Sequence, residues 1–316
     1  MRYNKFALLV FLSLLFVGCG EDEETVDSGS GNTGISDNAN LNANIAGSDR
    51  TVSLLEIPRL DQRYDYISHC LSDGHLNYAL EYSPTQYHSH WVAYHYDALS
   101  ALQKERERTD AWAPEPYYDN NRQYQLNTNK FSGYQRGHLV GSAERYYSTE
   151  ANMQTFYMSN MSPMIGAFNG TYWGVVEDKV RDDWGRKVVL NPKTGRFYGG
   201  TLYVVKGGTI QDGQILTYCN VSNTFGESVR MVVPKYYFIA CLFIDRNNIA
   251  QAIGFWMEHK DYRNTSDSFL RQLARSSACS IDELEKKTGI DFFCNLPDKL
   301  ENNVESVYNI ELWDGL

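Results

Sequence analysis

Between Phe131 and Arg181 the chain gathers side chains whose types and spacing suit one kind of chemistry. Arg136-Gly137-His138 sets a cation two positions from an imidazole, Asn169 offers an amide oxygen, and Glu177 and Arg181 follow it by eight and twelve residues. A neutral imidazole takes a proton near pH 7. An amide oxygen suits a hard divalent ion, and a guanidinium binds phosphate charge. These are the groups needed to hydrolyse a phosphodiester, and no Ser-His-Asp or Cys-His arrangement is required.

Such groups act together only if structure holds them. The row Asn169, Trp173, Glu177, Arg181 recurs every fourth residue and drifts only about 40° per step on an α-helix. The spacing therefore predicts a helix with Asn169, Glu177 and Arg181 along one slowly rotating stripe. Asn169 stands near its N-terminus, where unpaired N–H groups and the helix dipole favour an anion. Upstream, the aromatic run from Thr155 to Pro163 predicts a strand leading into a loop. Tyr134 to Val140 predicts another strand, and Ser142 to Met153 a short helix between them. Each residue also has a plainer reading: Asn169 as a helix cap, Glu177 with Arg181 as an i, i+4 ion pair, Arg108 as one charge on a solvated face, and His138 as a structural histidine.

The order of these motifs resembles the DNA/RNA non-specific endonucleases of the ββα-metal superfamily, whose pattern is Asp-Arg-Gly-His, then Asn-Met-Ser-Pro, then Asn-x-x-x-Trp. Here the matching residues are Gln135-Arg136-Gly137-His138, Asn160-Met161-Ser162-Pro163 and Asn169 with Trp173, followed by Glu177 and Arg181. Weaker likeness runs from about Asn77 to Val307. The resemblance implies His138 as general base, held by a backbone carbonyl, and Asn169 as the one side chain bound directly to Mg²⁺, with Mn²⁺ as the other candidate. It implies Glu177 on the metal's waters, Arg181 pairing with Glu177 or the phosphate, and Arg136 facing the phosphate. It also implies Arg108 as the transition-state arginine with Arg106 as its rival, and products with 5′-phosphate ends. Gln135 stands where the family has aspartate; an amide still accepts and donates hydrogen bonds but attracts a cation less, which implies weaker metal affinity.

Met1 to Gly18 has Arg2 and Lys5, then an apolar run from Phe6 to Val17 ending before Cys19. It is too short for a membrane span and reads as a secretory signal, 1–18. Gly18-Cys19 resembles a lipoprotein processing site, so Cys19 is the expected lipid anchor; an ordinary cleaved signal is the alternative. Residues 19–50 are acidic and poor in large apolar side chains, which predicts a disordered tether. Glu21-Asp22-Glu23-Glu24 reads either as an outer-surface signal or as a solvated linker. Residues 51–316 suffice for one large domain. Strand-like and helix-like segments mix without βαβ alternation, which predicts an α+β fold; with the resemblance, the expectation is a central antiparallel sheet with flanking helices and a ββα-metal motif.

A net charge of −10 looks wrong for a nucleic-acid enzyme, but much of it falls on the tether. Between Arg122 and Arg196 ten Lys/Arg stand against six Asp/Glu, a local positive excess that suits a groove for DNA or RNA with modest, salt-sensitive binding. Five cysteines remain beside Cys19, an odd number, and Cys279 with Cys294 is the preferred pair if disulfides form. His88 and His90 alternate onto one face of an expected strand from Tyr87 to Tyr96, and sharing a metal with His95 or His69 is the minority reading. The sequence thus points to an exported, membrane-anchored nuclease. The rivals are a DNA-specific enzyme and a catalytically silent surface lipoprotein that binds nucleic acid or a glycan, towards which only Gln135 leans.

Overall fold

A computed structural model describes residues 54–102, 107–186 and 199–313. The expected signal segment, Cys19, the acidic tether and Arg106 lie outside the described residues. In chain order the strands are β1 (Asp65–Cys70), β2 (Leu76–Ser83), β3 (His88–Tyr96), β4 (Gln135–His138), β5 (Met161–Met164), β6 (Thr201–Gly208), β7 (Ile215–Ser222), β8 (Ser228–Pro234), β9 (Tyr236–Ile244), β10 (Ala250–Glu258) and β11 (Ala278–Cys279). Seven of them form one sheet in the order β1-β2-β3-β6-β9-β10-β11, antiparallel at every step. The pairs β4–β5 and β7–β8 stand apart from it.

The central strands are apolar on both faces, and their period of two sorts the side chains into two cores. On β3, Val92, Tyr94 and Tyr96 enter one core while Trp91 and Ala93 enter the other; on β9, Tyr237, Ile239 and Cys241 oppose Phe238, Ala240 and Leu242. The first face is covered by a continuous helical run over residues 166–186 and by α3 (Asp267–Ser276). The second is covered by α4 (Ile281–Thr288) and α5 (Asp298–Glu305). This is the expected α+β architecture, with β4, β5 and the helical run making the ββα unit.

After an opening α-helical pair at 166–167, that run is regular α-helix, α2, over Gly174–Asp178, while Phe168–Trp173 and Lys179–Arg186 are wound as π-helix. Wide winding bonds less well than α, so packing must hold it. Phe168, Trp173, Val176, Val180 and Trp184 are all buried against the sheet, each stabilising the dock by about 1.5–3 kcal/mol.

Local readings of the sequence are corrected at three places. Strand geometry is confined to Met161–Met164, not the whole run from Thr155, because Asn160 ties the preceding turn by side-chain bonds: its Nδ2 donates to Val140 O (2.9 Å) and Thr155 O (2.8 Å), and its Oδ1 accepts from Val140 N (2.8 Å). Such side-chain to backbone bonds compete with a ladder. The helix expected over Ser142 to Met153 divides into a 3₁₀ turn, Ser142–Arg145, and a helix α1, Thr149–Gln154, because Ser148 caps a fresh start by accepting from Ala151 N at 3.0 Å. Cys279 and Cys294 are not bridged to each other: both thiols are buried, as are those of Cys219 and Cys241, while that of Cys70 is exposed. Cys294 Sγ points to Ile57 O at 3.8 Å instead.

Candidate active site

β4 and β5 lie antiparallel with Arg136 opposite Pro163, Gly137 opposite Ser162 and His138 opposite Met161. The glycine of Arg-Gly-His is required by this pairing, since a Cβ at Gly137 would stand 2.3 Å from Sδ of buried Met164. β5 leads directly into the helical run, whose first turns carry Asn169. There Asn169 Nδ2 donates to Gln135 Oε1 at 2.9 Å, so the two residues that sequence placed 34 apart meet side by side.

Both flank an open cavity of about 370 Å³ lined by Arg108, Trp112, Lys130, Phe131, Tyr134, Gln135, Arg136 and Asn169. Three of these are cations and none is a carboxylate. Arg136 Nη1 donates to Thr128 O at 2.6 Å, and its guanidinium lies 3.5 Å above the Trp112 ring. Arg108 lies 4.7 Å over Phe156 and donates to Asp110 Oδ1 at 2.8 Å. Its loop is fastened to α1 by Asn152, whose Oδ1 accepts from the Thr109 N–H and hydroxyl, both at 2.9 Å. Lys130 and Trp112 carry no signal in the sequence, because a Lys or Trp on an irregular segment has no periodic pattern, and nothing local ties Asn152 to Thr109, 43 residues away.

His138 sits beside this cavity without lining it. Phe156 meets its ring edge-on at 5.0 Å and Trp112 lies at 5.6 Å. The residue as a whole is half-buried, but Nε2 is shut off from water and has no hydrogen-bond partner among the described residues. The expected backbone carbonyl is therefore replaced by aromatic walls. Burial, then the charges of Arg108 and Arg136, push its pKa down to about 3, so the imidazole is neutral at pH 7.

The expected stripe on the helix splits three ways. Asn169 faces the cavity. Glu177 turns to the central sheet, where Lys206 Nζ donates to its Oε1 at 3.2 Å and to Glu144 Oε1 and Oε2 at 2.7 and 2.8 Å. Arg181 does not pair with Glu177 but with Asp178 (2.7 Å) and Asp182 (2.6 Å). Stretches of π winding change the angular step that the four-residue row assumes, and the buried ammonium of Lys206 supplies Glu177 with a closer partner than Arg181 could. Tyr94 and the Gly141 N–H complete the shell of Glu144 at 2.6 and 2.7 Å, and Lys206 and Glu144 are fully buried. Burial, with the Glu144 anion opposing Lys206, holds Glu177 above the usual carboxylate range.

The four histidines considered as a shared metal set each have separate partners. His88 meets Ser89 O and Ser162 Oγ, His90 meets Glu81, His69 meets Glu115 and His95 meets Glu56. For a divalent ion at Asn169 the donor set is one amide oxygen, left over once Nδ2 has bonded Gln135, with three cations near by. That fits a hard cation that keeps its waters and arrives with an anionic phosphate; it does not fit a site that holds a dication by protein charge alone.

Residues 71–299 match the family described as DNA/RNA non-specific endonuclease. A nuclease of Nostoc sp. is 28% identical over 233 residues, 72% of this chain and 75% of that protein. The mitochondrial endonuclease G of Caenorhabditis elegans is 26% identical over 269 residues, 83% of this chain and 78% of its own length. The mitochondrial nuclease 1 of Schizosaccharomyces pombe is 28% identical over 179 residues, 55% of this chain but only 51% of that protein. A crystal structure of an EndoG/EndoGI complex shares the fold with a TM-score of 0.52 at 19% identity, covering 81% of this chain and 96% of the other.

Proposed function

We propose that this chain, which belongs to the DNA/RNA non-specific endonuclease family, hydrolyses phosphodiester bonds of both DNA and RNA with little sequence preference, leaving 5′-phosphate ends. The observation that carries this reading is the cavity in which Arg108, Lys130 and Arg136 converge beside Asn169, with a neutral imidazole adjoining it. A phosphodiester bound there meets guanidinium forks suited to its oxygens. Its negative charge offsets the two arginine charges that depress His138, so substrate binding raises the basicity of the imidazole towards the range in which it takes a proton from the attacking water. Arg108, held over Phe156 by its ring contact and by Asp110, stabilises the charge that develops on the phosphate. Gln135 fixes the rotamer of Asn169. Asn169 would hold the ion, Mg²⁺ or Mn²⁺, which when bound supplies a Lewis acid for the phosphate and leaving oxygen. Glu177 keeps one carboxylate oxygen beyond the one taken by Lys206 and would serve the waters of such an ion; Arg181 keeps the helix acids Asp178 and Asp182 neutralised.

The location is part of the same proposal: signal peptide 1–18, lipid on Cys19, an acidic tether to residue 50, and the endonuclease domain over 51–316 at an outer membrane or cell surface. The test is cleavage of supercoiled plasmid and of single-stranded RNA by the purified chain with Mg²⁺, with EDTA and with His138→Ala. Metal-dependent cleavage of both substrates, lost in the variant, is the expected result. Cleavage of plasmid alone makes it DNA-specific. A folded chain that binds but cuts neither, with Mg²⁺ or Mn²⁺, overturns the enzymatic reading in favour of a silent binding lipoprotein.

A further inference from the structure

A second cluster of ligating side chains lies where β2 begins and β3 ends, on elements that line no part of the cavity. His75 stands just before the start of β2, and His95 and Asp97 stand at the end of β3, the strand whose antiparallel ladder with β2 pairs Ala79 with Ala93. One ligand atom from each of His75, His95 and Asp97 falls within 4.8 Å of the others. His95 Nε2 and Asp97 Oδ2 are 3.7 Å apart. That is long for a hydrogen bond and close to the edge of about 3.4 Å between two ligands of a tetrahedral zinc bound at ~2.0–2.1 Å.

Each of the three is held by something else. Glu56 Oε1 takes His95 Nδ1 at 2.8 Å, which turns Nε2 towards Asp97. A carboxylate behind a histidine is the usual outer partner of a metal-bound imidazole. Asp97 Oδ1 accepts from Leu99 N (3.0 Å), Ser100 N (2.8 Å) and Ser100 Oγ (2.7 Å), which locks the carboxylate and leaves Oδ2 as its free end. The His75 ring packs edge-on against His95 at 5.5 Å and Tyr147 at 6.1 Å, and its Nε2 is shielded from water without a hydrogen-bond partner. A shielded ring nitrogen with no partner asks for an explanation. Two carboxylates, Glu56 and Asp97, stand against the two rings of the cluster, and the Arg145 guanidinium donates to His95 O at 3.1 Å while lying 4.2 Å from the Tyr94 ring centroid.

We infer that His75, His95 and Asp97 form a second metal site, with Glu56 as the outer partner of His95, that takes a borderline divalent cation of the zinc class and leaves its fourth position to water. Two imidazoles and one carboxylate are ligands that zinc accepts, whereas Mg²⁺ and Ca²⁺ prefer all-oxygen sets. The site ties the start of β2 to the end of β3 and is independent of the nuclease reading.

The test is titration of the full chain with ZnCl₂ against a chromophoric chelator, in the Asn169→Ala background so that the cavity site does not contribute, with CoCl₂ as a spectroscopic probe. One Zn²⁺ per chain is expected. It is lost in His75→Ala and in Asp97→Asn, which keeps the turn's acceptor, and is weakened ~10–100-fold in Glu56→Gln. Co²⁺ in its place should give the visible absorption of a tetrahedral site, and Zn²⁺ should raise the thermal midpoint of the parent chain but not of the His75 variant. No binding in the Asn169→Ala chain, or binding unchanged by His75→Ala, overturns the inference and leaves the cluster as an ion pair of His95 with Glu56 and Asp97.

Discussion

Replacing Lys206 by methionine removes the ammonium that sits between buried Glu144 and half-buried Glu177, and the consequence can be worked out from the site. Lys206 Nζ lies 2.7 Å from Glu144 and 3.2 Å from Glu177, and its side chain is wholly buried. A pair of unit charges at about 4 Å and an effective dielectric of 20 interacts by about 4 kcal/mol before desolvation is counted. Removing one partner of a buried pair costs ~3–5 kcal/mol, because the other charge is left uncompensated. For a domain of this size that is a fall in Tm of roughly 6–20 °C. The loss must also depend on pH. Glu177 is already held above the ordinary carboxylate range by burial, and without the ammonium it prefers the proton more strongly, so between the ordinary glutamate pKa and its raised value the folded chain binds more protons than the unfolded one. Stability then falls as pH rises. Lys206→Met should accordingly lie closer to the parent chain at pH 5 than at pH 8, and adding Glu144→Gln should restore much of the loss at pH 8. Urea denaturation of the four chains of this cycle at both pH values is the assay. A deficit under about 1 kcal/mol, or one equal at pH 5 and pH 8, would refute the view that Lys206 is the counter-ion that holds Glu177.

Three further outcomes follow from the cavity. By NMR titration the His138 ring of the free chain stays neutral from pH 8 down to pH 5, in keeping with a pKa of about 3, and Arg136→Gln moves it upward by removing one of the charges that depress it; a midpoint near 6.5 in the free chain contradicts the burial. Gln135→Asp lowers the Mg²⁺ concentration for half-maximal cleavage fivefold or more, since one added unit charge near a cation is worth about 1 kcal/mol even at the dielectric of water; an unchanged metal titration would show that the missing aspartate is immaterial. Lys130→Gln, read by binding of single-stranded oligonucleotide in EDTA across a salt series, reduces the slope of log K against log [salt] by about 0.7; an unchanged slope removes Lys130 from the phosphate track.

The placement of the motif residues was legible because it is local. Arg136-Gly137-His138 sits on a four-residue strand whose pairing demands the glycine, and Asn169 comes directly after that strand's partner. The sheet was legible too, since β3 and β9 alternate between two apolar faces and a period of two survives any tertiary context. The limits appear where a side chain's partner is remote in sequence. Nothing near Glu177 announces that Lys206, 29 residues on, will take its carboxylate, so Arg181 at i+4 was the nearest cation in view. Nor does the spacing of His75 and His95 show that a hairpin lays them edge to edge. Backbone winding was likewise settled by packing: a run held by Trp173, Val176 and Trp184 against the sheet tolerates π turns that propensity alone does not favour. Sequence by itself determined which groups are present and on which elements they ride, because periodicity and motif order are properties of short segments. Only the tertiary structure decided which charges face one another, because a buried ion takes whatever counter-ion the fold brings within 3 Å, however far away it lies along the chain.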